Sequence, residues 1–320
     1  MVFDVAALGE ILIDFTENGM SSQGNPLLEA NPGGAPCNVL AMLKKLGHQT
    51  GFIGKVGRDM FGEQLEQALE EVGICTDGLV KDDNIHTTLA FVHTLEGGDR
   101  DFSFYRNPGA DMMLTETELN IDMLKNCRIF HFGSLSMTHE TCRKATKKAI
   151  KTARESGAVI SFDPNLREPL WESLDAAKEQ IAYGMEQCDI LKISDNEIQW
   201  FTGEQDYDKA AACLQSKYSI RLILVSLGRD GSRAYMNGKC AEAMPFLQEN
   251  TIETTGAGDT FCACVLHYVL EHGFKEYSDE ELKEMLTFAN AAASLITIRK
   301  GALRVMPEKN EIDKLAETRE

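Results

Sequence analysis

A chain of 320 residues that is 43% hydrophobic and 26% charged can bury a large core, as one or two α/β units by length alone. Its 50 acidic against 32 basic residues leave a formal charge of −18, which opposes nucleic acid and anionic membranes and obliges any anionic substrate to meet local cations. No run of about 18 apolar residues and no basic leader are present, and the nine cysteines are scattered; a cytoplasmic protein without a disulfide framework or cysteine zinc site is expected.

Residues 5–15 read as one alternating strand with Asp14 near its end. That carboxylate suits the hydroxyls of a polyol, and equally suits a strand emerging into solvent. The run Asn31-Pro32-Gly33-Gly34-Ala35-Pro36-Cys37-Asn38 opens a helix, with Pro36 in its first turn and Gly47 at its far end. Gly33 and Gly34 let backbone N–H groups approach a ligand, and Asn38 offers both a donor and an acceptor. Residues 54–62 close the next strand and begin a helix ending at Gly73, where a structural turn is the expectation. Residues 87–94 and 102–106, joined by Glu96-Gly97-Gly98-Asp99, read as a hairpin too exposed for the core.

Downstream, short apolar strands at 128–133, 158–162, 190–193 and 222–226 are separated by helices. That pattern implies a parallel sheet covered on both faces, with ligands at the carboxyl ends of its strands. Arg167 follows one such end, in Asp163-Pro164-Asn165-Leu166-Arg167; its simplest partner is Asp163 or Glu168. Lys192 and Glu197 straddle another, in Lys192-Ile193-Ser194-Asp195-Asn196-Glu197, where a first-turn acid also suits the helix dipole. Ser226, Gly228 and Gly231 form a glycine turn against which a nucleotide can lie. A long helix is expected over 279–299, its small residues after Asn290 admitting either a flat adenine ring or a close helix; a charged, solvated helix follows from Glu308.

The densest signal is Ile252-Glu253-Thr254-Thr255-Gly256-Ala257-Gly258-Asp259-Thr260-Phe261. Small residues at the start of a helix bring free N–H groups and the positive end of the dipole to one point, a setting for an anion. A carboxylate there repels a phosphate, so Asp259 makes chemical sense as a base that takes a proton from an attacking hydroxyl. The plainer reading is a turn into a buried helix with an ordinary first-turn acid. Phe261 stands where a dinucleotide fingerprint needs its third glycine, Gly54-Lys55-Val56 cannot serve as a Walker A loop, and protein-kinase motifs are missing.

The Gly256 stretch resembles the Asp-Thr-x-Gly-Ala-Gly-Asp signature of the PfkB (ribokinase-like) sugar kinases, and Gly33-Gly34 through Asn38 resembles the family's first signature. The likeness runs from about residue 5 to 307, in the expected order. It implies a ribokinase-like, Rossmann-type parallel sheet between helices (1–9, 31–84 and 112–320) with a small β-sheet lid (10–30 and 85–111) over the sugar. By the same resemblance Asp259 is the base, with Gly256, Ala257 and Gly258 as anion hole, and Asp14, Gly33, Gly34, Asn38, Arg106 and Arg167 contact sugar. Lys192, Ser226, Gly228, Gly231, Gly256, Gly258 and Asn290 face ATP. Glu197 orders Mg2+ through water, although Ser194 replaces the usual Asn; Glu253 replaces the usual Asp at a K+ site shared with Thr255. Ala35-Pro36, Arg106 and Leu170-Trp171 resemble fructokinases, so phosphorylation of D-fructose to fructose 6-phosphate is expected. Kinases for ribose, nucleosides or 2-keto-3-deoxygluconate, and a non-catalytic sugar-binding regulator, are the alternatives. The apolar alternation of the lid implies a homodimer through it.

Overall fold

A computed structural model describes residues 2–94 and 100–319, so the glycine turn expected at 96–99 lies outside the described residues. In chain order the strands are β1 (Phe3–Leu8), β2 (Leu12–Met20), β3 (Pro26–Gly33), β4 (Thr50–Gly57), β5 (Cys75–Asp82), β6 (Leu89–Thr94), β7 (Arg100–Tyr105), β8 (Cys127–Gly133), β9 (Val159–Asp163), β10 (Ile190–Ser194), β11 (Leu222–Ser226), β12 (Ser232–Met236) and β13 (Lys239–Ala243). They form a nine-stranded sheet ordered β13-β12-β11-β10-β9-β8-β1-β4-β5 and a four-stranded sheet ordered β3-β2-β6-β7. From β5 through β11 the large sheet is parallel; β12 and β13 run antiparallel at one edge.

The central parallel strands are mostly apolar because both faces are covered, whereas the edge strand β5 is more polar. On β1, Val5 and Ala7 face one core with the helices Ala35–Lys45 and Ala257–His272, whereas Ala6 and Leu8 face the other with the helix Glu140–Glu155. The chain fills one side of β1 with β4 and β5, then crosses to its other side with β8. The strand order therefore reverses beside β1, and ligand sites in such sheets gather at the carboxyl ends around that point.

The expected single strand over 5–15 is broken. The chain leaves the large sheet at Gly9-Glu10-Ile11 and begins the small one at Leu12. A Cβ on Gly9 would lie 2.5 Å from Pro36 Cγ, so the exit is packed tightly against the start of the Ala35–Lys45 helix. Alternation continues through the break, which is why periodicity alone reads one strand. The hairpin at β6–β7 is also less exposed than expected, since Ala90 and Val92 are buried. β3 continues to Gly33, past the boundary placed at 31. The long helix spans Asp279–Ile296 and stops short of Arg299, whose guanidinium turns back to Glu311 and the carbonyls of Val305 and Met306. The helix Lys309–Ala316 is not purely solvated, because Ile312 is fully buried.

The turn at 57–62 has a structural job. Asp59 caps the helix Met60–Glu71 by accepting from the N–H groups of Phe61 and Gly62, and it also accepts from the N–H and hydroxyl of Thr87 just before β6. One carboxylate thus fixes the helix start to the root of the small sheet. Gly62 lies against the chain of Gly57, where a Cβ would sit 1.9 Å from a carbonyl oxygen. Gly62→Ala is expected to destabilise the protein by about 1–3 kcal/mol through overpacking, read as a lowered urea midpoint; an unchanged midpoint would show that this contact yields freely.

Candidate active site

The helix Ala257–His272 begins at Gly256, whose φ of 77° is left-handed backbone that a side chain would strain. A Cβ on Gly256 would also approach Ala302 Cβ to 2.8 Å, and one on Gly258 would lie 3.0 Å from Lys192 Nζ. Gly256 is therefore small by necessity, and at Gly258 a side chain would press on the ammonium that lies next to the start of the helix. Asp259 sits in the first turn, 9% exposed, and accepts a hydrogen bond from Asn38 Nδ2 at 2.8 Å. Burial raises its pKa, opposed by that hydrogen bond and by the charges of Lys192 and Arg167. A carboxylate so placed is more basic than one in water, and its neighbours counter part of that rise.

A cavity of about 390 Å3 opens above Asp259. Asp14, Gly33, Gly34 and Asn38 line it, and so do Arg167, Lys192, Glu253, Thr255, Gly256 and Gly258. Its opposite wall is one face of the small sheet, where period-two spacing puts Leu12, Asp14 and Thr16 side by side with Val92 and Phe104. The other face of that sheet stacks Phe15 on Phe91 and packs it edge-on against Phe61. Gly33 and Gly34 let the chain run close to the cavity: a Cβ would lie 2.2 Å from Asp14 Oδ2 at the first and 2.4 Å from Glu10 O at the second, where φ is 133°. Asn165, with φ 43°, also lines the space, in the left-handed conformation that Asn tolerates better than most residues.

Beneath the cavity lies a buried charge system. Lys192 Nζ is 3.0 Å from Asp163 Oδ2, and both side chains are almost fully buried. Burial disfavours the charge on Lys192, but Asp163, Glu197 and Asp259 outweigh it and raise the lysine pKa. Asp163, an expected partner of Arg167, belongs to Lys192 instead. Glu197 forms a capping box: its Oε2 accepts from the N–H and hydroxyl of Ser194 at 2.9 and 2.8 Å, and its Oε1 from the N–H of Leu166 at 2.6 Å. The Ser that replaces Asn is thus the N-cap of the helix Asp195–Thr202. Glu253 Oε1 accepts from the N–H of Gly301 at 2.8 Å, joining the glycine loop to the closing loop.

Arg106 does not line the cavity. Its guanidinium, 2% exposed, meets Asp111 at 2.7 Å and donates to Thr138 Oγ1 and the carbonyl of Leu135. A residue passed over in the sequence is Glu10, which does line it and accepts from the N–H of Ala35 at 3.0 Å. Burial pushes the Glu10 carboxyl up to about 7, against the pull of its own backbone, Ala35 and Arg106 and with the push of Asp111. No local signal distinguishes Glu10 from a polar strand residue; only the turn that the chain makes there buries it.

A second cavity, about 300 Å3, adjoins the first at Thr254 and Gly258. Ser226, Gly228 and Gly231 line it together with Phe246, Leu247, Ala257, Phe261, Ala293 and Asn290. The Asn290 amide is already spent: its Oδ1 accepts from Ser232 Oγ at 2.9 Å, and its Nδ2 donates to the carbonyls of Ala243 and Met244 at 3.0 and 3.2 Å. Asn290 therefore shapes the wall as a helix-packing residue. A polar cavity and a mostly apolar one meet at the helix start that carries the carboxylate. That arrangement can hold a hydroxylated compound on one side, an aromatic group on the other, and an anion between them.

The sequence profile described as "pfkB family carbohydrate kinase" matches residues 2–309. A protein of Arabidopsis thaliana called probable fructokinase-2 is 40% identical over 306 residues, which cover 95% of this chain and 92% of that protein. Among solved structures, a fructokinase with bound ATP from Xylella fastidiosa superposes with a TM-score of 0.89 at 28% identity over 99% of both chains. A fructokinase from Vibrio cholerae O395 in a fructose-, ADP- and calcium-bound form superposes with a TM-score of 0.87 at 27% identity, covering 98% of this chain and 99% of the other.

The Glu10 carboxyl carries a pH signature. Its folded pKa of about 7 lies above the ordinary value of 4.5, so the stability contributed by its proton is complete below about 4.5 and lost as pH rises through about 7. Glu10→Gln keeps the acceptor for Ala35 without the charge. Urea midpoints of the ligand-free protein are expected to fall further in wild type than in the variant between about pH 5 and pH 8; parallel curves would place Glu10 in a wetter setting than its burial implies.

Proposed function

The chain belongs to the pfkB family of carbohydrate kinases and has its ribokinase-like fold, and we propose that its substrates are ATP and D-fructose and its product fructose 6-phosphate. What carries this reading is Asp259, buried at the helix start where the two cavities meet. Sugar occupies the polar cavity, and the adenine the apolar one, against Ser226, Gly228 and Gly231. The relatives named fructokinase, and the neighbour carrying fructose and ADP, support fructose over other sugars.

Asp14, the backbone at Gly33 and Gly34, and Asn38 hold the hydroxyls, and the Asn38 amide also fixes the Asp259 carboxylate. Asp259 takes the proton of the 6-hydroxyl as that oxygen bonds to the γ-phosphorus and the bond to the β-phosphate oxygen breaks, leaving ADP. The N–H groups at Gly256, Ala257 and Gly258 stabilise charge on the moving phosphoryl group, with Lys192 and Arg167 as nearby cations. Magnesium accompanying ATP would neutralise phosphate charge; Glu197 fits holding it through water, since its Oε1 accepts only from the N–H of Leu166 and keeps a lone pair. Glu253 and Thr255, oxygen donors on the same wall, suit a potassium ion. Arg106 acts indirectly, paired with Asp111 behind the cavity and donating to the carbonyl of Leu135, which lines it. The small sheet acts as a lid that keeps water from competing with the sugar.

The lid also supports a homodimer. Met20, Leu27, Leu28 and Tyr105 are large apolar residues exposed on its strands, and β3 and β7 leave it with open edges. Light scattering at micromolar concentration is expected to give twice the chain mass, and Leu28→Glu to shift it toward the single chain; a monomeric wild type would remove the lid from any dimer.

ADP release measured across fructose, ribose, nucleosides and 2-keto-3-deoxygluconate, with and without potassium, tests the assignment. Fructose is expected to give the highest kcat/KM, and Asp259→Asn to lower kcat at least about 100-fold with little change in sugar KM. Preference for another sugar overturns fructose, release with none of them overturns the kinase, and a fully active Asp259→Asn overturns the base.

A further inference from the structure

On the opposite rim of the large sheet from the active site, the described residues bring two histidines and a glutamate together. His48 leads into β4, while His267 and Glu271 lie one turn apart on the helix Ala257–His272. One ligand atom from each falls within 4.8 Å of the others. His48 Nε2 and His267 Nδ1 face each other at 2.7 Å, and the ring centroids are 5.0 Å apart. We propose that His48, His267 and Glu271 form a binding site for a transition-metal dication of the zinc class, remote from the reacting groups.

The geometry favours this in several respects. Residues at i and i+4 on a helix share a face, so His267 and Glu271 form a clamp that needs no backbone movement. A tetrahedral ion with bonds of about 2.1 Å sets its donor atoms roughly 3.4 Å apart, so the two imidazoles need only turn away from each other to admit it. The ring planes lie at 59°, and of the three side chains only the exposed Glu271 is rotamer-rich and has to be ordered. His48 Nδ1 lies 3.7 Å from Asp4 Oδ2, which places a carboxylate behind one ligand to orient its ring. Two nitrogens and a carboxylate select a borderline ion over magnesium or calcium, which prefer all-oxygen sites. Glu271 is exposed, leaving a fourth position to water.

The charges around the cluster are mixed. Arg128 is engaged by Asp4 at 3.0 Å, Lys309 by Asp313 at 2.9 Å, and the His272 ring reaches the carbonyl of Tyr268. Burial lowers the pKa of both His48 and His267, the latter to about 4. His267 follows Asp259 by eight residues, about 12 Å along the helix axis, so an ion there would not touch substrate. It would instead tie the far end of the helix that begins at the anion hole to the amino end of β4.

The test uses the full chain, stripped with EDTA, free of nucleotide and kept in excess MgCl2 so that oxygen-only sites are filled. Titration with CoCl2 is expected to give one equivalent of binding with the intense visible bands of tetrahedral cobalt, lost on adding ZnCl2. His267→Gln is expected to abolish the bands, and Glu271→Gln to weaken binding about 10-fold or more; Asp4→Asn should weaken it about 10- to 100-fold as an orienting group. Melting of each variant in EDTA shows that it folds, and Glu271, being exposed, keeps the test open if His267→Gln does not. Weak octahedral spectra in wild type, or wild-type affinity in a folded His267→Gln or Glu271→Gln, would overturn the site.

Discussion

A carboxylate taken out of water needs donors and cations around it. At Asp259 these are supplied by different groups. Asn38 supplies a neutral donor, Lys192 and Arg167 supply charge, and the helix start supplies N–H groups. Lys192 can be buried at all only because Asp163 lies at 3.0 Å and Glu197 and Asp259 are near. The acidic side chains under the site thus keep a lysine charged where a chain of net charge −18 most needs a cation.

Glycine makes this clustering sterically possible. A side chain at Gly258 would displace the Lys192 ammonium, and one at Gly256 would meet Ala302 while adopting a strained φ. Gly34 performs the same service on the other wall, where the backbone at Glu10 passes too close for any Cβ. The two glycine-bearing segments come from opposite ends of the chain, yet Asn38 and Asp259 are joined by one hydrogen bond across 221 positions. Packing of the helices Ala35–Lys45 and Ala257–His272 in one core sets that bond, so fold stability and site geometry rest on the same apolar surface.

What could be read in advance follows the range of each interaction. The loop at 256–259 and the helix start at 33–38 are legible because glycine, proline and cap positions act over a few neighbouring residues, and the parallel sheet is legible because buried strands are continuously apolar. The break at Gly9-Glu10-Ile11 is not, since the alternation runs through it and only contact with Pro36 forces the turn. Glu10, and the pairing of Asp163 with Lys192 rather than with the neighbouring Arg167, are not legible for a related reason: they depend on burial and on partners distant in sequence. Arg106 and Asn290 show the converse. Their residue types suit sugar and adenine, but Asp111 engages the first and Ser232, Ala243 and Met244 the second, and no sequence pattern reveals how much hydrogen-bonding capacity is already used.

The small sheet illustrates how one pattern can serve two surfaces. Strand alternation gives β2 one face of Leu12, Asp14 and Thr16 toward the cavity and another on which Phe15 joins Phe61 and Phe91. A slip of a single residue in register would turn Asp14 into the aromatic layer and Phe15 into the cavity, exchanging both environments at once. Register is pinned near the root of the sheet, where Asp59 holds Thr87 next to β6 and β6 pairs with β2 from Ile13 to Thr16. The capping acid of a helix outside the cavity therefore determines which side chains of the small sheet reach it. A turn whose own residues touch nothing in the cavity is still a condition for its chemistry.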